Sequence, residues 1–261
     1  MIDYGQLAGR LAAAGDRWAL MREIQAEWGV PSAGAEGVPA AEVAAAETRL
    51  GFTLPAALKA WYALPSNPYF LKPRLFWTHL NRPELLEVWP EDVVGPDALI
   101  VFQSEYQNCC EWAFRVRDAH LPDPPVLCGS TEGEAADWLP QNDTLTEHLL
   151  QLLLVRLIHF GPQYYAAQET LTPEMTARVA HHFPDLGLPP WREYGDGCRL
   201  RGGPDVLLLV NARPPFAYPE HALYLGARSY AGLERATAQL GVDWDTAEEF
   251  EAQPGQGEPL G

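Results

Sequence analysis

Cations are scarce in this chain. Its 261 residues include 18 Lys or Arg against 35 Asp or Glu, a formal net charge of −17, and only Lys59 and Lys72 are lysines. Nucleic-acid binding draws most of its affinity from cations that neutralise phosphates. Anionic membrane surfaces select for basic segments in the same way. Nucleic acid and membrane are therefore excluded as expected partners. Cysteine is also scarce: Cys109, Cys110, Cys128 and Cys198 are the whole set. No Cys-x-x-Cys occurs, which excludes a zinc ribbon and a thioredoxin-like motif. No apolar run approaches the ~20 residues that span a bilayer; the most apolar stretch, Leu149 to Ile158, is interrupted by Arg156. Met1-Ile2-Asp3-Tyr4 lacks the basic and apolar regions of a signal peptide, so a cytoplasmic protein with reduced thiols is expected. The lack of lysine beside 22 Gly, 24 Pro and abundant Ala suggests a GC-rich, bacterial coding sequence.

What is present is ordinary globular material. The hydrophobic share is 47%, far from the composition of disorder. The length allows one large or two small domains. Asp16 is a good N-cap for a helix reaching Trp28, with Leu20, Ile24 and Trp28 along one face. Gly29, Pro31, Gly34, Gly37 and Pro39 then mark a linker. A helix is expected from Ala40 to Leu50, stopped by Gly51. A second, carrying Leu58, Trp61 and Tyr62, restarts at Pro55.

Strands follow. Leu75 to Thr78 and Leu99 to Phe102 are two candidates. Cys110, Trp112, Phe114 and Val116 alternate with polar or small residues, the pattern of a half-buried strand. Tyr106-Gln107-Asn108 would turn between the last two. Pro125 to Cys128 is a short strand whose prolines suit an edge or a strand start. Thr144 and Glu147 match a capping box for a leucine-rich helix that runs to Phe160 and is apolar on most of its circumference, as in helices buried between layers. Beyond it, Thr172 caps a helix with Met175, Val179 and Phe183. Asp205 to Val210 and Ala222 to Leu225 read as strands, and Ser229 caps a helix ended by Gly241.

The run Glu47-Thr48-Arg49-Leu50-Gly51-Phe52-Thr53-Leu54-Pro55 resembles the E-x-x-L-G-x-x-L-P opening of the SUKH superfamily, which includes Syd-like proteins and the yeast cell-wall-assembly-regulator group. Glu47, Leu50, Gly51, Leu54 and Pro55 fit it. Glu105 and Gln107 fit a sub-group pattern, E-N-Q before an aromatic strand, with Tyr106 in place of Asn. Asp123-Pro124-Pro125, Trp138 and the leucine-rich helix follow in the family's order. The resemblance covers about residues 40–160. It implies an α+β fold, a mainly antiparallel central sheet with helices packed on it. It also implies a non-catalytic binding role: bacterial members are mostly regarded as immunity proteins that neutralise a toxin, and others as scaffold modules. On this reading residues 1–30 are an N-terminal helical extension, 31–39 a linker, 40–165 the core, and 166–261 a C-terminal strand-helix extension, either a lobe of its own or packed on the core as one domain.

Catalytic signatures are weak. Gly129-Ser130-Thr131-Glu132-Gly133 has its Ser one place early for a nucleophile elbow. Gly195-Asp196-Gly197 leads into a strand, where a phosphate loop needs a helix. His181 and His182 are adjacent and point about 100° apart on a helix, so they cannot chelate together. Asp243, Asp245, Glu248 and Glu249 lack the full calcium-loop pattern. Cys109 and Cys110 read as small buried hydrophobes, with a redox switch as the sharper alternative. No metal, cofactor or catalytic residue is assigned.

Acids gather in three runs without intervening cations in sequence: Glu84 to Asp97, Glu132 to Glu147, and Asp243 to Glu258. Trp89, Trp138 and Trp244 lie in or beside them, and aromatic anchors rimmed by charge are how tight interfaces are built. The expected function is therefore stoichiometric binding of a protein partner, a basic toxin domain such as a nuclease. Glu91, Asp92, Glu105, Glu132, Glu134, Asp137 and Trp138 are the candidate contact residues. The alternative is a regulatory or scaffold protein without a toxin.

Overall fold

The computed structural model describes residues 2–13, 17–30, 37–64, 78–89, 95–105, 110–130, 137–160, 164–194, 198–211 and 222–249. The fold is α+β, with seven α-helices and eleven strands among the described residues. In chain order the helices are α1 (Leu7–Ala13), α2 (Arg17–Glu27), α3 (Ala40–Leu50), α4 (Ala56–Tyr62), α5 (Leu145–Phe160), α6 (Pro173–His182) and α7 (Tyr230–Leu240). The strands are β1 (Thr78–Leu80), β2 (Glu87–Trp89), β3 (Leu99–Glu105), β4 (Glu111–Arg115), β5 (Val126–Gly129), β6 (Leu139–Asn142), β7 (Tyr164–Gln168), β8 (Cys198–Gly203), β9 (Val206–Asn211), β10 (Leu223–Ala227) and β11 (Thr246–Glu249).

The chain divides into two compact units. One holds residues 30–152, the other residues 1–29 and 153–261. This corrects the sequence boundaries. The N-terminal helices are no appendage of a 40–165 core, because they group with the C-terminal third. The second division falls inside α5, between Leu152 and Leu153.

In the 30–152 unit, α3 ends where Gly51 takes φ 78° and its N–H bonds the Glu47 carbonyl. A left-handed residue costs glycine nothing. The Glu47 carboxylate then reaches past the stop: it accepts the Leu54 N–H at 2.8 Å and pairs with Lys59 at 3.1 Å. Pro55 sits at the N-cap, one place before the helical position expected for it. Leu58, Trp61 and Tyr62, carried by α4 as expected, are buried. The sheet is antiparallel, ordered β1-β3-β4-β5-β6, with β2 also on β3.

One expectation fails here, and one open alternative is decided. The strand at β4 is buried on both faces, since Glu111 and Ala113 are covered as well as Trp112 and Phe114. The second face is filled by a cluster of Leu99, Val101, Ala113 and Trp138, with Trp89 and Leu127 against it. Of the two readings of the prolines before β5, the strand start holds: Pro125 directly precedes β5, which is interior because β6 continues the sheet beyond it. The sequence Leu139-Pro140-Gln141-Asn142 carries no strand pattern, and its proline is tolerated because this is the edge.

The other unit is built on the antiparallel sheet β11-β7-β10-β9-β8. Thr172 and Ser229 cap α6 and α7 as expected, accepting the Met175 and Gly232 N–H groups. Val179 and Phe183 from the α6 segment and Leu233, Ala236 and Leu240 from α7 pack on one face, against Val206, Leu208, Val210, Leu223 and Leu225. On the opposite face Tyr224 of β10 meets His159 of α5, with ring centroids 4.7 Å apart. This explains the nearly continuous apolar run of β9, every residue of which is buried.

One buried cation draws the N-terminal segment into this unit. The Arg228 side chain is 9% exposed and donates to Glu27 at 2.5 Å and to Asp205. Its guanidinium also lies 5.8 Å from the centroid of the Tyr4 ring. Tyr4 in turn accepts the Trp28 indole N–H at 2.6 Å. Asp205 takes φ 64° in the β8–β9 turn and also pairs with Arg235 at 3.1 Å. Burial pushes the Asp205 carboxyl up, but the hydrogen bonds and charges of Arg228 and Arg235 outweigh it and hold it below the usual range. Removing one partner of a buried ion pair leaves an uncompensated charge, at a cost of about 3–5 kcal/mol. Arg228→Met should therefore lower the urea-unfolding free energy by about that amount, and adding Glu27→Gln and Asp205→Asn should recover part of it. Wild-type stability in the single variant would show that the cluster contributes nothing.

Candidate functional site

Polar groups enter the interior of the 30–152 unit where its sheet is irregular, at β3–β4 and again at β5–β6. The β3–β4 register shifts between Val101 and Gln103, so that Val101 faces Ala113 and Gln103 faces Trp112. A bulge re-aims side chains. Here Phe102 and Gln103 both meet α5: Phe102 lies edge-on to the His148 ring at 5.5 Å, and Gln103 Oε1 stands 2.8 Å from His148 Nε2. On its other side, His148 Nδ1 is 3.0 Å from Asn142 Oδ1. Asn142 Nδ2 donates to Gln151 Oε1 at 3.0 Å.

This chain of contacts fixes the imidazole. Burial lowers the His148 pKa to about 3, so the ring is neutral and carries one N–H. The donation to Gln151 commits the Asn142 nitrogen, which leaves its oxygen to accept the Nδ1 proton. Nε2 is then an acceptor. Amide oxygen and nitrogen are interchangeable in shape, and the Gln103 nitrogen satisfies Nε2 better than the oxygen does. It is also the Gln103 atom that otherwise lacks a partner in the interior. A histidine that is fully buried and held from both sides cannot reach a substrate. Its chemistry is positional: it fastens the bulge of β3 to α5. No pattern in the sequence marked it, because an isolated His between leucines reads only as an interruption.

The surface is where the predicted contact residues can be placed. Glu91, Asp92, Glu132 and Glu134 lie outside the described residues, as does the expected turn at Tyr106 to Asn108. Glu105, at the end of β3, is buried to 9% exposure. That corrects its assignment as a contact residue. Trp138 is also buried, packed at 5.9 Å against Trp89. Its ring occupies space that only a glycine leaves open, since a Cβ on Gly129 would fall 2.5 Å from it. Asp137 is exposed. Asp137, Trp138 and Leu139 thus divide in order, outward, inward, outward, with Leu139 48% exposed. Leu139 begins the edge strand β6, and Asp143, also exposed, follows its end. Among the described residues, the structure brings together an apolar side chain, two flanking carboxylates and the last strand of the sheet.

The first acidic run is not free of cations in space. Asp97 pairs with Arg117 at 2.6 Å and Arg115 at 3.8 Å, and Glu84 with Arg82 at 3.4 Å. In the third run, Asp245 accepts from Gln168 Nε2 and the Glu169 N–H, so it secures the end of β7. A separate cleft of about 380 Å³ is lined by Glu42, Ala45, Ala46, Arg49, Arg82 and Glu84. Arg49 is committed there to the carbonyls of Pro83, Glu84 and Leu86. Among the described residues no group of three or more His, Cys, Asp or Glu could hold a metal ion, and no helix is long and apolar enough to cross a membrane.

No protein-family model, curated protein or solved structure matches the chain.

The His148 assignment has a pH consequence. Its folded pKa lies far below the unfolded value, so between about pH 6.5 and 3 the unfolded state binds the extra proton. Stability is then full above that window and falls through it, at up to about 1.4 kcal/mol per pH unit. Urea midpoints followed by Trp fluorescence should decline from pH 7 to pH 4, and His148→Gln should flatten that slope while lowering stability throughout. An unchanged slope in His148→Gln would assign the acid sensitivity to the carboxylates instead.

Proposed function

We propose that this protein is a non-enzymatic binding module of SUKH-like type, and that it acts as a bacterial immunity protein by binding a toxin stoichiometrically in the cytoplasm. The observation that carries the reading is the coincidence of the resemblance with one structural unit. The motif Glu47 to Pro55, the antiparallel sheet and the Thr144-capped start of α5 all fall within residues 30–152. A second support is the β6 edge, where Leu139 offers an apolar centre between Asp137 and Asp143. Edge strands accept partners through their open backbone groups, and surface carboxylates accelerate encounter with a basic partner such as a nuclease domain. Pro140 limits the edge to short pairing, which leaves side chains to set specificity.

The scaffold alternative draws on a different observation. Residues 1–29 and 153–261 form a second unit with its own sheet and core, and the resemblance does not extend over it. A scaffold would use both units, and an immunity protein only the first.

The test is growth rescue. Co-expression of the chain with the toxic nuclease domain encoded beside its gene should restore growth. Reversing Glu132, Glu134 and Asp137 to Lys should weaken binding by 10-fold or more and steepen its loss with salt. Leu139→Asp should abolish binding without lowering Tm. Rescue that survives both changes would overturn the site, and a neighbouring gene without toxicity would favour the scaffold.

A further inference from the structure

We propose that Cys110 and Cys128 form an oxidation site, in which a hydroperoxide converts two reduced thiols into a disulfide across β4 and β5. The two sulfurs stand 3.2 Å apart, from residues separated by 18 positions. Both are reduced thiols in this structure. Cys110 immediately precedes β4, and Cys128 lies on β5 directly opposite Trp112, so the two are diagonal neighbours on one sheet face. Diagonal Cβ atoms normally lie about 7–8 Å apart or somewhat less; here the side chains turn toward each other. A disulfide needs the sulfurs at about 2.05 Å, a closure within reach of side-chain rotation. The backbone around the pair is already held: the Cys110 carbonyl accepts the Glu105 N–H at 2.8 Å, and the β4–β5 ladder runs through Cys128.

Exposure divides the roles. Cys110 is half-buried and Cys128 is buried. Susceptibility to peroxide follows thiolate character and access, and sensor thiols stand beside a resolving thiol. The Cys110 thiolate attacks a peroxide oxygen and the O–O bond breaks. Hydroxide leaves and is protonated to water, giving Cys110 sulfenic acid. Cys128 Sγ then attacks the Cys110 sulfur and displaces its oxygen as a second water. With hydrogen peroxide, two thiols and one peroxide yield one disulfide and two waters, the thiols losing two electrons and the peroxide gaining them.

The probe is hydrogen peroxide at low molar excess on the reduced full-length chain. The expected result is loss of two hydrogens in intact mass and a Cys110–Cys128 cross-linked peptide after trypsin, which cuts between them at Arg115 and Arg117. Tm should rise by several degrees and return on dithiothreitol treatment. Cys128→Ser should trap the sulfenic acid on Cys110, seen as a dimedone adduct, and Cys109→Ser should leave the cross-link intact. Persistence of both thiols while a free cysteine peptide is oxidised, or a cross-link that joins Cys109 in place of Cys110, would overturn the proposal. Mass mapping of the wild-type chain decides the matter even if a serine variant folds poorly.

Discussion

Arg228 and Glu27 meet across 201 residues of sequence, and the arrangement of the unit containing both depends on that contact. A buried guanidinium must have partners, because the cost of removing it from water is several kcal/mol. Its partners come from two separate parts of the chain: Glu27 from the end of α2, and Asp205 from the turn between β8 and β9. Glu27 also accepts the Ile2 N–H at 2.8 Å. One cation thus fixes the position of the N-terminal segment, the second N-terminal helix and a hairpin turn. Hydrophobic burial alone would tolerate several placements of Leu20, Met21 and Ile24 against a sheet. The geometry of two carboxylates around one guanidinium tolerates far fewer. Ion pairs of this kind add little net stability against an apolar replacement, so the gain here is register.

The same division of labour holds in the 30–152 unit. Leucines fill the space, and a few polar contacts decide how the pieces align. Glu47 sets the angle between α3 and α4 by bonding the backbone beyond the Gly51 stop. Asp123 accepts the Thr146 N–H at 2.8 Å, and Thr144 accepts that of Glu147 at 3.2 Å; the start of α5 is capped from its own chain and from a distant loop together. His148 then locks α5 to the bulge in β3. Each of these polar groups lies where an element begins, ends or breaks its regularity. Those are the points where backbone N–H groups would otherwise go unsatisfied.

Helices were the most legible part of the fold. Ala40–Leu50 coincides with α3, and the caps at Thr172 and Ser229 act as the residue types require, because helix signals are local. Strands were legible where both faces are apolar, as in β3 and β9, and invisible where they are short edges, as in β2 and β6. The two-unit division was not legible at all. Nothing near Glu27 announces a partner at Arg228, and α5 hides the other boundary because its leucines continue unbroken from one unit into the next. Among the expected contact residues, Asp137 is exposed as its polar run suggests, whereas Glu105, which fits the family pattern, and Trp138, which lies in an acidic run, are buried. A carboxylate or an indole looks identical in sequence whether it faces a partner or the interior.

The net charge of −17 changes meaning once these contacts are counted. Glu27, Glu47, Asp97, Asp123, Asp205 and Asp245 each bind a cation or a backbone N–H of the chain itself. Such acids are already engaged, and a partner that recruited them would first have to displace a contact of the chain itself. Exposure narrows the set further: among the described residues of the 30–152 unit, Asp137 and Asp143 are exposed at the two ends of the β6 segment. Electrostatic steering depends on where the uncommitted charge lies rather than on the total. On the proposed reading, the exposed carboxylates at the two ends of β6 stand beside an exposed leucine at the rim of a sheet, which would join long-range attraction to a desolvated contact at one site.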